Sequence, residues 1–87
     1  MPYVDDLTRR TLDAYLQPLL AQIPTNIRAG WVNYLVTSIV VAALGPQPNY
    51  ERFNALIGVL ECAKLELYRR AVAPYEDKKI AENGDVY

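Results

Sequence analysis

Apolar residues recur at three- and four-residue steps along three stretches of the chain, a spacing that places them on one face of an α-helix. We predict helices at about residues 6–22, 27–44 and 50–73, followed by a short helical segment at 75–82. The chain is therefore expected to be a single all-α domain, residues 1–87, formed by a three-helix unit with a short C-terminal helical extension.

Polar residues that cap helices stand before each predicted start. Asp5 or Asp6 can accept hydrogen bonds from the first turn of the first helix. Thr25 or Asn26 is expected to cap the second helix, and Asn49 the third. These residues mark where the helices begin.

Proline and glycine mark the ends and interruptions of the helices. Pro18 lies inside the first apolar pattern, so we expect it to kink that helix or to start a second, short one. Residues 45–48, Gly-Pro-Gln-Pro, end the second helix. Pro74 is expected to kink or restart the third, and Asn83-Gly84 closes the last segment.

The second predicted helix is apolar on nearly every side. At 100° per residue its polar side chains do not share one face, and they are Arg28, Asn33, Thr37 and Ser38. Its β-branched residues would also suit a strand, but alternation is absent and the length favours a helix. A helix of this kind is normally enclosed all round, which two other short helices cannot achieve. We expect a homo-oligomer; the alternative is that the C-terminal segment folds back over this helix.

The third helix carries one continuous apolar stripe at helical spacing, formed by Phe53, Ile57, Leu60, Ala63, Leu67 and Ala71. Gly58 lies beside this stripe and costs about 1 kcal/mol relative to alanine inside a helix. Close approach of another backbone or a ligand would explain a glycine here, and so would packing within the chain.

Chain length, composition, net charge and cysteine count indicate which partners and which compartment to expect for the protein. A chain of 87 residues, 52% of them hydrophobic, buries only about 60% of its unfolded surface when it folds alone. The net charge of −1 provides no field for duplex nucleic acid. One cysteine allows no internal disulfide and favours a reducing cytoplasm. The N-terminus lacks a signal-peptide layout, and Gly30–Leu44 is too short for a membrane span, so we expect a cytoplasmic protein without membrane contact.

The residue inventory argues against catalysis. There is no histidine, one serine and one cysteine, so the usual nucleophile–base pairs and zinc sites cannot form. The four glycines are isolated, so no phosphate-binding loop is present. We therefore expect no enzyme, no catalytic residue, no metal site and no cofactor.

Tyrosine and cationic residues concentrate on the third helix and its extension. Arginine matches phosphate oxygens with two hydrogen bonds, and tyrosine offers a ring face and a hydroxyl group. We predict a site for a planar anion such as a nucleotide, shared between subunits. The candidate residues are Tyr50, Asn54, Glu61, Tyr68, Arg69, Arg70, Tyr75 and Lys79. The alternative is that the arginines pair with Glu66, Glu76 and Asp77 while the tyrosines fill an interface rim.

A family resemblance is carried by two C-terminal sequence segments. They are NYERFNALIGVLECAKLELYRR, which begins at Asn49, and PYEDKKIAENGDVY, which begins at Pro74. Together with Asn33-Tyr34, they resemble a family of short helical proteins of unknown function encoded by bacteriophages and prophages. The resemblance brings no activity with it. It marks for testing Asn33, Tyr34, Tyr50, Asn54, Gly58, Glu61, Glu66, Tyr68, Arg69, Arg70, Tyr75 and Lys79.

Two functions compete on these grounds. The first is a non-enzymatic phage-type oligomer that sequesters a host immune nucleotide signal, by analogy with small phage proteins of similar size and character. The second is a protein-interaction module that inhibits or adapts a host or phage protein, or a phage assembly component.

Overall fold

The computed structural model describes residues 4–87 and is helical over most of that range, without a strand among those residues. Helix α1 spans Asp6–Gln22, α2 spans Ala29–Leu44, α3 spans Tyr50–Leu67, and α4 spans Ala73–Asn83. A π-helical segment, Tyr68–Val72, joins α3 to α4. The all-α class predicted from the sequence is confirmed.

The residues group into two units by their internal contacts. One unit is Met1–Thr37 and the other is Ser38–Tyr87, so the boundary falls inside α2. The first unit holds α1 and the first half of α2. The second holds the rest of α2 and the long helical stretch that follows.

The start of α1 is capped by a side chain. Asp5 Oδ1 accepts a hydrogen bond from the Thr8 amide at 2.7 Å, and this bond lowers the pKa of the Asp5 carboxyl group below its usual value. Asp6 pairs with Arg9 at 3.2 Å across one turn. Of the two caps that the sequence allowed, the structure uses Asp5.

Pro18 does not divide α1, because the helix continues through it to Gln22. The ring has no N–H to donate to the carbonyl of Ala14, so one backbone hydrogen bond is missing near the C-terminal end. Only one turn of helix follows the proline. The part of the prediction that allowed a second helix to start at Pro18 is wrong.

The start of α2 lies later than the sequence suggested. Thr25 and Asn26 form a turn before the helix, and Asn26 has φ of 63°, a left-handed conformation that asparagine tolerates. The Arg28 carbonyl then accepts a hydrogen bond from the Trp31 amide at 3.0 Å. The prediction that Thr25 or Asn26 caps α2 is therefore wrong, since the turn separates both from the first helical residue.

A side chain of the following helix, α3, caps the C-terminal end of α2. Gly45 adopts a left-handed φ of 78°, which lets the chain leave the helix directly after Leu44. The Arg52 guanidinium donates two hydrogen bonds to the carbonyl of Ala43, from Nε at 3.2 Å and from Nη2 at 2.8 Å. Arg52 thus satisfies a carbonyl that the last turn of a helix leaves without a partner.

The start of α3 follows the prediction. Asn49 Oδ1 accepts from the Arg52 amide at 2.9 Å, while the Asn49 carbonyl accepts from the Phe53 amide at 2.9 Å. Asn49 is therefore the N-cap of α3, as its side chain and position indicated.

Pro74 does not interrupt the helical path. The Ala73 amide donates to the carbonyl of Tyr68, five residues earlier, so the turn before the proline is one residue wider than an α-helical turn. Pro74 then lies in the first turn of α4, where a missing N–H is tolerated. The segment predicted at 75–82 is part of α4, and the chain is helical from Tyr50 to Asn83.

Burial is sparse in the single chain. Leu56 is the one buried residue among residues 4–87, with 8% of its surface exposed. Large apolar side chains on α2 and α3 remain more than half exposed, among them Trp31, Ile39 and Leu67. Most of the apolar surface that the sequence provides is therefore not covered within one chain.

Candidate functional site

All eight candidate residues lie on the continuous helical stretch Tyr50–Asn83, and all are exposed. At 1.5 Å per residue, Tyr50 and Lys79 stand about 40 Å apart along such a stretch. One copy of this helix cannot bring the eight residues into one pocket. Several separate pairs of charged and aromatic side chains are present instead.

The first group of candidates lines one edge of the apolar stripe. Tyr50, Asn54, Glu61 and Tyr68 follow one another at steps of four and seven residues, which keeps them on one side of a helix. Glu61 pairs with Lys64 at 2.9 Å. This row is a polar and aromatic border to the apolar face of α3.

The two arginines share a single carboxylate oxygen. Arg70 Nε donates to Glu66 Oε2 at 2.7 Å, and Arg69 Nη2 lies 3.4 Å from the same oxygen. The hydrogen bond from Arg70, followed by the charge of Arg69, lowers the pKa of the Glu66 carboxyl group. For Glu66, this is the pairing that the alternative interpretation of the sequence described.

The π-helical segment brings Tyr68 to Glu76. These residues are eight apart, which in a regular α-helix would place them about 80° from each other. The wider turn between them rotates every later side chain backwards and aligns the pair. A hydrogen bond to the Glu76 carboxylate, reinforced by its charge, raises the pKa of the Tyr68 hydroxyl group. The spacing of residues along the chain does not indicate this pair, because it does not show that the turn before Pro74 contains an extra residue.

Tyr75 and Lys79 form the last pair. The Lys79 ammonium group lies 5.5 Å from the centre of the Tyr75 ring, within the range of a cation–π contact. Lys79 also approaches Glu82 at 3.4 Å. The cation is thus shared between a ring face and a carboxylate on the next turn.

Charge is balanced around these pairs. Between residues 66 and 82, four cationic side chains stand against four anionic ones: Arg69, Arg70, Lys78 and Lys79, with Glu66, Glu76, Asp77 and Glu82. An anion that binds to the arginines must therefore compete with Glu66 for their N–H groups.

Where α2 gives way to α3, the surface forms an open concavity of about 410 Å³. Its lining residues are Leu44, Gln47, Pro48, Asn49, Glu51, Arg52 and Ala55. None of them is a candidate ligand residue. Asn49 and Arg52 already bond to the ends of α3 and α2, so their arrangement is explained by capping.

Gly58 has open space around it. Apart from the neighbouring backbone of its own helix, a Cβ atom built there would meet no atom of residues 4–87 within 4 Å. Packing within the chain therefore does not explain this glycine, and that interpretation of the sequence is wrong.

None of the helices within residues 4–87 is both long and apolar enough to cross a membrane. No group of three or more cysteine, aspartate or glutamate side chains lies close enough together to hold a metal ion in that range.

Comparison with known proteins gives one match. Residues 1–86 match a family described as a domain of unknown function, DUF6899. No curated protein and no solved structure matches the chain.

Proposed function

The chain belongs to the DUF6899 family, and we propose that it is a non-enzymatic protein that works as an assembly of identical copies. The apolar sides of α2 and α3 form the contacts between copies. The polar and aromatic residues around the π-helical segment then face a ligand or partner. The protein acts by binding rather than by chemical conversion.

The exposure of α2 carries this proposal. Trp31, Ile39 and Val41 each leave nearly three-fifths of their surface in water, and Val36 leaves two-fifths. Complete burial of such a side chain is worth about 1.5–3 kcal/mol, so covering the exposed part contributes roughly 1 kcal/mol for each. These residues point to several sides of α2, so one symmetric contact covers about half of them in each copy and gives roughly 4 kcal/mol.

That contribution has to be compared with the cost of association. Bringing two molecules together costs an estimated 4–15 kcal/mol in lost freedom of motion. The exposed residues of α2 alone are therefore barely sufficient. The stripe of α3, where Phe53 is 44% and Leu67 is 63% exposed, supplies further area of the same kind. Both helices are needed for a stable assembly.

Native mass spectrometry of the protein purified from cells tests the proposal. The expected spectrum shows a multiple of the 9.8 kDa chain. A spectrum that contains only the single chain, at a concentration where the protein is helical by circular dichroism, would contradict it. Any small molecule that copurifies appears as added mass in the same spectrum.

A second candidate function is the capture of a planar anionic ligand, such as a nucleotide signal of host immunity, at a junction between subunits. The observation in its favour is the position of Tyr68, Arg69 and Arg70 on a π-helical segment. Such segments occur frequently at functional sites. This function places the protein in a bacterial cytoplasm during phage infection, in line with the resemblance of its sequence.

A thermal-shift panel of cyclic and ADP-ribose-type nucleotides tests this candidate. A ligand is expected to raise the melting temperature of the native protein and to lose that effect in an Arg69→Ala/Arg70→Ala variant. Arg9→Ala/Arg10→Ala on α1 is the matched control and is expected to keep the shift. The interaction module is favoured instead if no nucleotide shifts the melting temperature and affinity purification from infected cells captures one protein in stoichiometric amount.

A further inference from the structure

We propose that the chain folds only together with a second copy, so that helix formation and association are one step with α2 in the contact. The coupling rests on the proposed function and deepens it, because it states what an isolated chain does. A folded chain without a partner copy is not populated. The surface that one chain leaves in water carries this inference.

One chain exposes far more surface than an independent domain of the same mass. Its exposed surface is 8138 Å² for 9.8 kDa, whereas a folded monomer of this mass exposes about 5,200 Å² and the extended chain about 14,000 Å². One chain thus hides about two-fifths of its extended surface, while a domain of this size that is stable alone hides about three-fifths. About 3,000 Å² of each chain remains to be covered.

An area of this size is typical of obligate interfaces. Two chains that each cover about 3,000 Å² bury about 6,000 Å² together, whereas specific contacts between proteins that fold separately bury about 1,200–2,000 Å². Obligate interfaces range from about 2,000 Å² to more than 5,000 Å² and resemble a domain core cut in two. Subunits that share such an interface often have no stable folded form when they are apart.

The distribution of burial shows that one chain lacks a core of its own. None of residues 4–37 is buried, and Leu56 is the one buried residue within 38–87. On α1, Tyr15 is 66% and Leu20 is 47% exposed. Helices in proteins are stabilised mainly by packing of their apolar sides. The residues that would form the core of an independent domain are therefore left for a partner to cover.

The composition of α2 favours a copy of the chain as that partner. Ala29–Leu44 includes no aspartate, glutamate, lysine or arginine. In a symmetric contact the same residues approach from both sides, so a charge near the symmetry axis would face its own sign, and α2 has none. The Thr37 hydroxyl group donates to Asn33 Oδ1 at 3.3 Å. This bond lowers the cost of covering the two polar side chains.

A copy is also the partner whose concentration always equals that of the chain. Mass action then sets a threshold in the amount of protein. Below the threshold the chain is unfolded, and above it the chain is folded and associated. The amount of the protein in the cell thereby controls how much of it can bind a ligand or partner.

Urea unfolding of the purified full chain at two concentrations tests the coupling. Circular dichroism reports helix content, and analytical ultracentrifugation reports mass. The emission of Trp31, the single tryptophan, reports the environment of α2, where this side chain is 58% exposed in one chain. A roughly hundredfold increase in chain concentration should raise the urea midpoint on the order of 1 M, because association is part of folding. All three signals should change together.

A variant with the fluorescent reporter outside α2 is the matched control. In Trp31→Phe/Tyr87→Trp the tryptophan stands at a position that is fully exposed in one chain. Its emission in the assembly should equal that of the protein in urea, whereas Trp31 of the native protein should emit at shorter wavelength in the assembly. Emission from Trp31 in an assembled protein at the wavelength found in urea would overturn the placement of α2 in the contact.

The remaining outcomes separate the coupling from the proposed function. Loss of assembled mass at a urea concentration where the helix signal is intact would overturn the coupling alone, and so would an assembled protein whose midpoint does not move with concentration. A lone 9.8 kDa chain that is helical at every concentration would overturn the proposed function as well. A purified chain that stays unfolded and single at every concentration would overturn the choice of a copy as the partner.

Discussion

Helices α2 and α3 are of similar length, yet they depend on their surroundings in opposite ways. α3 has an asparagine cap at Asn49 and an ion pair between Glu61 and Lys64. The side chains of α2 make one hydrogen bond along the helix, from Thr37 to Asn33 at 3.3 Å. Its apolar residues face nearly every direction.

This difference indicates that the stability of α2 depends more on packing between copies than the stability of α3 does. Isolated helices of about 12–15 residues are marginal in water, and β-branched residues lower helix propensity further. The 16 residues of α2 include several of these, so packing has to stabilise it. α3 has a side-chain cap and an ion pair of its own, so its helical structure depends less on packing against a partner.

The largest expected effect comes from a charge on α2. Ile39→Asp removes an exposed apolar side chain and places a carboxylate where a neighbouring copy is expected to pack. The dissociation constant of the assembly should rise on the order of a hundredfold, measured by analytical ultracentrifugation. Leu65→Asp on α3 is the matched control, since Leu65 is 57% and Ile39 is 59% exposed. If both substitutions raised the dissociation constant equally, α2 would not contribute more to the assembly than the control position on α3.

The cap of α3 gives the next effect. Asn49→Ala leaves the Arg52 amide without its side-chain acceptor and should lower the free energy of unfolding by about 1 kcal/mol. Asn49→Asp keeps the acceptor and should retain most of the stability. Urea unfolding followed by circular dichroism measures both variants. If the alanine variant were as stable as the aspartate variant, α3 would not depend on its own cap.

A smaller effect, dependent on pH, is expected at Glu66. Its pKa lies below the ordinary value of 4.5 in the folded chain because Arg70 and Arg69 favour the carboxylate. The contribution of these ion pairs to the free energy of unfolding is therefore present above pH 4.5 and is lost as the pH falls through the lowered pKa of Glu66. Glu66→Gln should be less stable than the native protein at neutral pH and equal to it in acid, by thermal melts across the range. A difference that persists unchanged in acid would exclude the ion pairs as its cause.

The smallest effect is the titration of Tyr68. Glu76 raises the pKa of the Tyr68 hydroxyl group above 10.0, so this contribution to stability is present below pH 10 and is lost as the pH rises through the raised pKa. The ultraviolet difference titration between the native protein and Tyr68→Phe should have its midpoint above 10.0. Glu76→Gln should lower that midpoint. An unchanged midpoint in Glu76→Gln would show that the π-helical segment does not hold the pair together in solution.

Much of the fold could be predicted because its signals are local. The bounds given for the first helix, 6–22, are those of α1, since Asp5 and the apolar periodicity act within a few residues. The end of α2 at Gly45 and the cap at Asn49 follow from equally short-range chemistry. The position of Ala29 as the first residue of α2 could not be predicted, because it depends on the left-handed turn at Asn26.

The candidate site could be predicted only as a set of residue types. Glu66 was identified as an ion-pair partner because three- and four-residue spacings are reliable on a helix. The pairing of Tyr68 with Glu76 depends on a five-residue turn, and the capping of Ala43 by Arg52 depends on the loop between two helices. Neither geometry is encoded in a short spacing. Whether these separate pairs of charged and aromatic side chains form one site depends on contacts between copies, and such contacts are not encoded in local sequence spacing.

Light scattering of the purified protein at micromolar concentration, combined with circular dichroism of the same sample, tests the central claim most directly. The account predicts a helical protein whose mass is a multiple of 9.8 kDa, because one chain leaves α2 uncovered. A stably helical protein with the mass of a single chain would contradict it.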